Sequence, residues 1–198
     1  MILPIVVYGD PVLRKVAEDI TPEYPGLNQL IQDMYETMYH AKGVGLAAPQ
    51  VGKPIRLFLV DTGPFADIDE DDEEQEFTKE QLEELANFKR TFINAKITDE
   101  RGEEWKFNEG CLSIPRIRED VSRKPEITIE YLDEHFKPCR EKFSGIIARV
   151  IQHEYDHIEG KLFTDRISPI RRKLISGKLR DISKGKFTAD YKVKIHRH

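Results

Sequence analysis

Ile151-Gln152-His153-Glu154-Tyr155-Asp156-His157 sets two histidines four residues apart, with a glutamate directly after the first. On an α-helix residues i and i+4 share a face, so both imidazoles point the same way. Helix is the expected state: Ser144 offers an N-cap, Ile146, Ile147, Val150 and Ile151 recur at helical spacing, and Gly160 follows as a stop. A divalent metal held by such a pair keeps room for water, and the adjacent carboxylate can take that water's proton. Alone, the pattern also reads as two surface histidines on a helix, and a third ligand has to decide. A metzincin would continue to His-Glu-x-x-His-x-x-Gly-x-x-His; Gly160 fits that extension, but Phe163 stands where the last histidine belongs.

A candidate third ligand lies upstream, in Asn108-Glu109-Gly110-Cys111-Leu112-Ser113-Ile114-Pro115, where a cysteine follows a glycine that lets the backbone come close to a bound atom. Cys111, His153 and His157 would make a three-ligand site with one open position, the arrangement of catalytic rather than structural zinc. Further upstream, Gly43-Val44-Gly45-Leu46-Ala47-Ala48-Pro49-Gln50 is small and apolar except for its terminal amide.

These three motifs, in this order, resemble those of the peptide deformylases, metalloenzymes that remove the formyl group from the initiator methionine of new proteins and release formate. The similarity spans roughly residues 1–165. It implies an α+β fold in which antiparallel β-sheets surround a central helix carrying the His-Glu-x-x-His motif, followed by a C-terminal helix. It also implies catalytic roles for Glu154 as proton acceptor and donor, and for the Gln50 amide and the Leu112 backbone N–H as oxyanion donors, beside a metal on Cys111, His153 and His157. Substrate contacts are implied for Val44, Gly45, Phe107, Gly110, Arg118 and Val150. Glu109 is expected to be a supporting carboxylate paired with Arg123, and Arg149 to contribute only its stem. One divalent ion is expected, Fe2+ in the bacterial cell, with Zn2+, Ni2+ and Co2+ also compatible with thiolate and imidazole donors. The partners implied are N-formylmethionyl nascent peptides and, through a basic C-terminal segment, ribosomal RNA; a cytoplasmic monomer is expected. Two alternatives are a zinc endopeptidase, supported by His-Glu-x-x-His alone, and an RNA-binding or regulatory protein with a structural metal.

Composition sets the limits. A chain of 198 residues holds one domain with a real core. Its 39% hydrophobic and 34% charged residues contain no apolar run approaching the ~20 residues of a membrane helix, so no membrane contact is expected. The apolar start, Ile2 to Val7, reads as a strand rather than a secretion signal. Cys139 is expected as a free thiol on a strand.

The net charge of −5 is unevenly spread: residues 67–76 hold eight acids and no bases, whereas 166–198 hold eleven Lys or Arg against two acids. The expected layout is therefore a catalytic domain over 1–165 with an acidic insertion at about 62–90, and a basic helix and tail over 166–198. Within the insertion, 67–76 should be a solvated loop lacking the spacing of a calcium-binding EF-hand, and Thr78-x-x-Gln81 a capping box. A helix is expected over 22–42 with Gly43 as terminator, and strands over Ile55 to Val60, Phe92 to Ile97, Glu126 to Leu132 and Cys139 to Phe143, the last two joined as a hairpin. Ser168-Pro169 should open a helix to about Ile182 with Ile170, Leu174, Ile175, Leu179 and Ile182 as its stripe, and 184–198 is expected to be disordered or a loosely added strand.

Overall fold

The computed structural model describes residues 1–67 and 77–197. In chain order the elements are β1 (Ile5–Val6), α1 (Leu27–His40), β2 (Gly45–Ala47), β3 (Leu57–Asp61), α2 (Gly63–Ala66), α3 (Lys79–Asn87), β4 (Lys89–Arg101), β5 (Trp105–Cys111), β6 (Ile114–Arg123), β7 (Glu126–Leu132), β8 (Pro138–Ser144), α4 (Gly145–Ile158), α5 (Pro169–Ser183) and β9 (Val193–Lys194). They form an α+β fold: a five-stranded antiparallel sheet ordered β2-β3-β4-β7-β8, a β5-β6 hairpin, and a short β1-β9 pair.

The five-stranded sheet is covered on both faces, which explains why β3 is an unbroken apolar run rather than an alternating one. Leu57 and Leu59 face a cluster with Leu27, Ile31, Met34 and Met38 of α1. Phe58 and Val60 point the other way, into a cluster with Phe92, Ile127 and Ile129 of the sheet and Ile147, Ala148 and Ile151 of α4. A third cluster joins Ile114, Ile117 and Val121 of β6 to Ile175, Leu179 and Ile182 of α5. Helix α4 lies between the sheet and the hairpin, and ten of its fourteen residues are buried, polar ones included. A helix buried nearly all round belongs to the interior of the body.

Several local expectations are met and others corrected. Ser144 stands at the N-cap of α4 but makes no side-chain capping bond, whereas Thr78 and Gln81 form both bonds of the capping box of α3. Helix α1 begins at Leu27 and not at 22, because Pro22 and Pro25 precede it and Gly26 takes a left-handed backbone, φ 69°. It ends on Lys42 in the left-handed region, φ 58°, one residue before Gly43. Strand β4 runs well past the Phe92 to Ile97 segment; its ends are charged and half exposed, so hydrophobicity does not mark them. Of the expected stripe on α5, Ile175, Leu179 and Ile182 are buried while Ile170 and Leu174 are exposed, so the helix packs along a narrow seam. The tail adds β9, which pairs with β1 in parallel, against the antiparallel expectation.

The acidic insertion leaves and rejoins the body at one place. Thr62 N–H donates to Phe88 O (3.1 Å) and its hydroxyl to Leu85 O (2.7 Å). Most of the expected acidic loop, residues 68–76, lies outside the described residues.

Phe92 is fully buried, stacked on Phe58 at 4.7 Å between ring centroids and against Tyr131 at 4.4 Å. Phe92→Ala should cost about 3–5 kcal/mol of unfolding free energy by denaturant titration; a loss below about 1 kcal/mol would mean that this cluster does not carry the sheet-to-helix packing.

Candidate active site

The α4 register puts His153 and His157 on the face turned toward the β5-β6 hairpin, where Cys111 ends β5. Their ligand atoms and the Cys111 sulfur all lie within 4.8 Å of one another, and Cys111 Sγ is 3.4 Å from His157 Nε2. Donors about 3.3–3.6 Å apart are what tetrahedral bonds of 2.0–2.3 Å require, so the residues present fit a divalent ion. His153 uses its other ring nitrogen, Nδ1, to reach Glu109 Oε1 at 2.8 Å. An ionised carboxylate can only accept, so that nitrogen carries the proton and Nε2 is left for the metal.

Glu109 also takes Arg123 in a two-pronged contact, Nε to Oε2 at 2.8 Å and Nη2 to Oε1 at 2.9 Å, and Arg149 Nη1 at 2.9 Å. Arg123 continues to Asp156 Oδ2 at 2.8 Å, and Arg166 grips the same carboxylate through two bonds of 2.6 and 2.7 Å. Burial opposes the Glu109 charge, but its bonds to His153 and Arg123 hold it well below the usual carboxylate range. Asp156 is likewise lowered: burial opposes its charge, and Arg166 and Arg123 outweigh it. Burial and the neighbouring His153 charge push His157 down to about 3, so it stays neutral and able to ligate. Burial works against a charge on His153 too, but bonds to Cys111 and Glu109 raise it well above its ordinary value, so loading the site must expel a proton.

The pairing of Glu109 with Arg123 is as read from the sequence. Arg149 does more than lend its stem. It is fully buried, its guanidinium bonds Glu109, Val121 O (2.7 Å) and Trp105 O (2.6 Å), and it lies 4.6 Å from the Trp105 ring centroid.

Glu154, next to the ligand His153, is treated in the opposite way. Its carboxyl is buried, Oε2 has no hydrogen-bond partner among the described residues, and burial pushes the group up to about 7. Room for it comes from Gly45: a Cβ there would sit 2.6 Å from Glu154 Oε1. Two residues earlier, a Cβ on Gly43 would sit 2.9 Å from Leu112 Cδ1. The two glycines read as a place for a ligand to come close therefore also admit Glu154 and Leu112. Gln50 accepts Ala47 N–H on Oε1 (3.0 Å), which turns its NH2 toward Cys111 Sγ (3.4 Å) and Ser113 Oγ (3.1 Å).

These groups meet at the base of a cleft of about 470 Å3. Its walls include Val44, Gly45, Gln50, Phe107, Gly110, Cys111, Leu112, Arg118, Val150, His153 and Glu154. His157 is absent from the lining and sits behind it, buried. Arg118 pairs in register with Gly110 and is held by Asn108 Oδ1 at 2.7 Å. Sequence reasoning missed Phe65, Arg116, Ile117 and Tyr191, which also line the cleft. None of them belongs to a motif; Phe65 comes from the insertion and Tyr191 from the tail.

Comparison with known proteins agrees with this geometry. The family model described as polypeptide deformylase matches residues 2–173. A peptide deformylase of Flavobacterium johnsoniae is 62% identical, the match covering 98% of this chain and 96% of that one; another from Cytophaga hutchinsonii is 48% identical over 98% of each. Among solved structures, peptide deformylase from Thermus thermophilus has a TM-score of 0.77 at 36% identity, covering 93% of this chain and 99% of that one. The corresponding enzyme from Thermotoga maritima has a TM-score of 0.71 at 38% identity, covering 85% and 99%. Neither the endopeptidase nor the RNA-binding alternative finds support in these matches. With the three-donor set, the partnered Glu109 and the partnerless Glu154 in one cleft, the chain belongs to the polypeptide deformylase family.

Proposed function

We infer that this chain removes the N-formyl group from the initiator methionine of newly made polypeptides and releases formate. The observation that carries the reading is the Glu154 carboxyl, buried and without a partner for Oε2 among the described residues, in a cleft beside three metal-ligating side chains. Cys111, His153 and His157 would hold one divalent ion, which when bound supplies a Lewis acid and makes water acidic enough to attack near neutral pH. Thiolate and imidazole donors accept Fe2+, Zn2+, Ni2+ and Co2+, and Fe2+ is our proposal for the cell.

Glu154 takes the proton of the attacking water and later delivers it to the departing amine, a role that a carboxyl raised toward neutrality serves well. The Gln50 NH2 and the Leu112 N–H donate to the oxyanion that forms at the formyl carbon. Gln50 is suited to this because its amide oxygen is already committed to Ala47, so the donor end cannot turn away. Val44, Phe107 and Val150 supply an apolar wall for the methionine side chain, with Gly45, Gly110 and Arg118 along the peptide that follows. The whole cleft lies within one chain, and we propose a monomer acting in the bacterial cytoplasm, where formylated chains emerge.

The basic helix α5 supports a further proposal, contact with ribosomal RNA. Arg171 and Arg172 are engaged, with Glu119 and with the Thr164 and Asp165 carbonyls, while Lys173, Lys178 and Arg180 are exposed. Because α5 also fills the third core cluster, point substitutions test this better than truncation.

Two outcomes are expected. Protein kept anaerobic should release formate from formyl-Met-Ala-Ser and carry iron; Glu154→Gln should lower kcat by about 10²–10⁴ while metal content stays unchanged. Cleavage of an unformylated peptide, or full activity in the variant, would sink the assignment. Combined Lys173→Glu and Lys178→Glu should leave that activity intact but weaken binding to ribosomes and flatten its salt dependence by roughly 0.9 per charge removed; unaltered binding would remove α5 from the contact.

A further inference from the structure

The turn between β5 and β6 carries the Leu112 N–H, and both of its carbonyls are held from outside the hairpin. Ser113 O accepts Tyr8 N–H at 2.8 Å. Leu112 O accepts the Tyr191 hydroxyl at 2.6 Å, from a residue that also lines the cleft. Tyr191 is itself placed independently of the turn, because the next residue is tied to the N-terminal strand: Ile5 N–H donates to Lys192 O at 2.9 Å, and Val193 pairs with Ile5 in register. A second bond from the same segment reaches the cleft wall, where Arg116 Nε donates to Thr188 O at 3.0 Å. Arg116 has φ 62°, a left-handed backbone that a non-glycine residue keeps only when its surroundings fix it.

We propose that the C-terminal segment 188–194 is a strap that completes the cleft, with Tyr191 as a positioning residue for the Leu112 N–H. The inference rests on the deformylase reading given above. Each peptide unit is planar, so a short turn has few free torsions. Anchoring the Leu112 and Ser113 carbonyls therefore fixes the direction of the N–H that begins the same turn. Without the Tyr191 hydroxyl one anchor is gone, a half-buried carbonyl is left unpaired, and the donor is free to swing. Small displacements of a group that must meet a developing charge are costly in rate. The ring of Tyr191 has a separate duty as cleft wall, so removing the hydroxyl and removing the ring should have different kinetic signatures.

The test compares Tyr191→Phe and Tyr191→Leu with the wild type. In Tyr191→Phe, kcat on formyl-Met-Ala-Ser should fall roughly tenfold, one part of the 10²–10³ lost when an oxyanion donor is removed outright, with KM within about threefold and with metal content and melting temperature unchanged. Tyr191→Leu should in addition raise KM. In the zinc-loaded protein, 15N relaxation should show the Leu112 and Ser113 amides loosening in Tyr191→Phe, from an order parameter of ~0.85 toward 0.6. An unchanged kcat, or a turn as rigid as in the wild type, would each overturn the inference. If the wild type itself released no formate, the deformylase reading would fail on its own, and the amide relaxation would still decide whether Tyr191 holds the turn.

Discussion

Everything in the site hangs from the carboxylate of Glu109. Taking a carboxylate out of water costs several kcal/mol unless nearly every lone pair is satisfied, and here Arg123, Arg149 and His153 together supply four charge-assisted bonds of 2.8 to 2.9 Å. The three partners come from two elements, β6 and α4. The contact is therefore a tie between the hairpin that carries Cys111 and the helix that carries both histidines. A metal site assembled from distant pieces of chain needs such a tie, because ligand positions that drift by a few tenths of an ångström lose affinity and selectivity.

The tie also accounts for the depth of α4. A helix with Arg149, Gln152, Glu154, Asp156 and His157 buried would be unstable if those groups were left alone. Arg149 and Asp156 join the Glu109 network, and Gln152 Nε2 finds Lys124 O at 3.1 Å. The apolar side of the same helix packs on the sheet through Ile147, Ala148 and Ile151. One face thus supplies the burial and the other the chemistry, and the cost of burying the second is offset by ion pairs rather than by exposure to water.

What is legible in the sequence follows from distance along the chain. His153, Glu154 and His157 share one helical turn, so their spacing alone predicts a common face. The apolar face of α1 and the hairpin of β7 and β8 are local in the same sense. The hairpin that carries Cys111 reads as a motif but not as two strands, because Trp105 to Cys111 is mixed in polarity and its pairing is made by backbone. Lys42 ends α1 where the pattern points to Gly43, and Gly43 is needed for contact with Leu112, a neighbour that no local pattern reveals. Tyr191 meets Leu112 across 79 residues of sequence, and Phe65 reaches the cleft from inside an insertion whose composition suggests only solvated charge. Contacts of that kind have no period and no neighbouring residue to announce them.

Two glutamates in one buried region divide the work by their surroundings alone. Glu109 is given every partner it can use and stays ionised, which makes it a fixed negative charge that orients His153 and draws Arg123 and Arg149 together. Glu154, on the helix turn beside it, is denied a partner for Oε2 among the described residues and held against the bare backbone of Gly45, so desolvation lifts it toward neutrality. A base that is to take and return a proton near pH 7 has to be left wanting one, and a carboxylate surrounded by arginines cannot be. Gly45 is what keeps the two environments distinct. Any side chain there would push Glu154 off its place, so a residue with no functional groups of its own sets the chemistry of the one that has them.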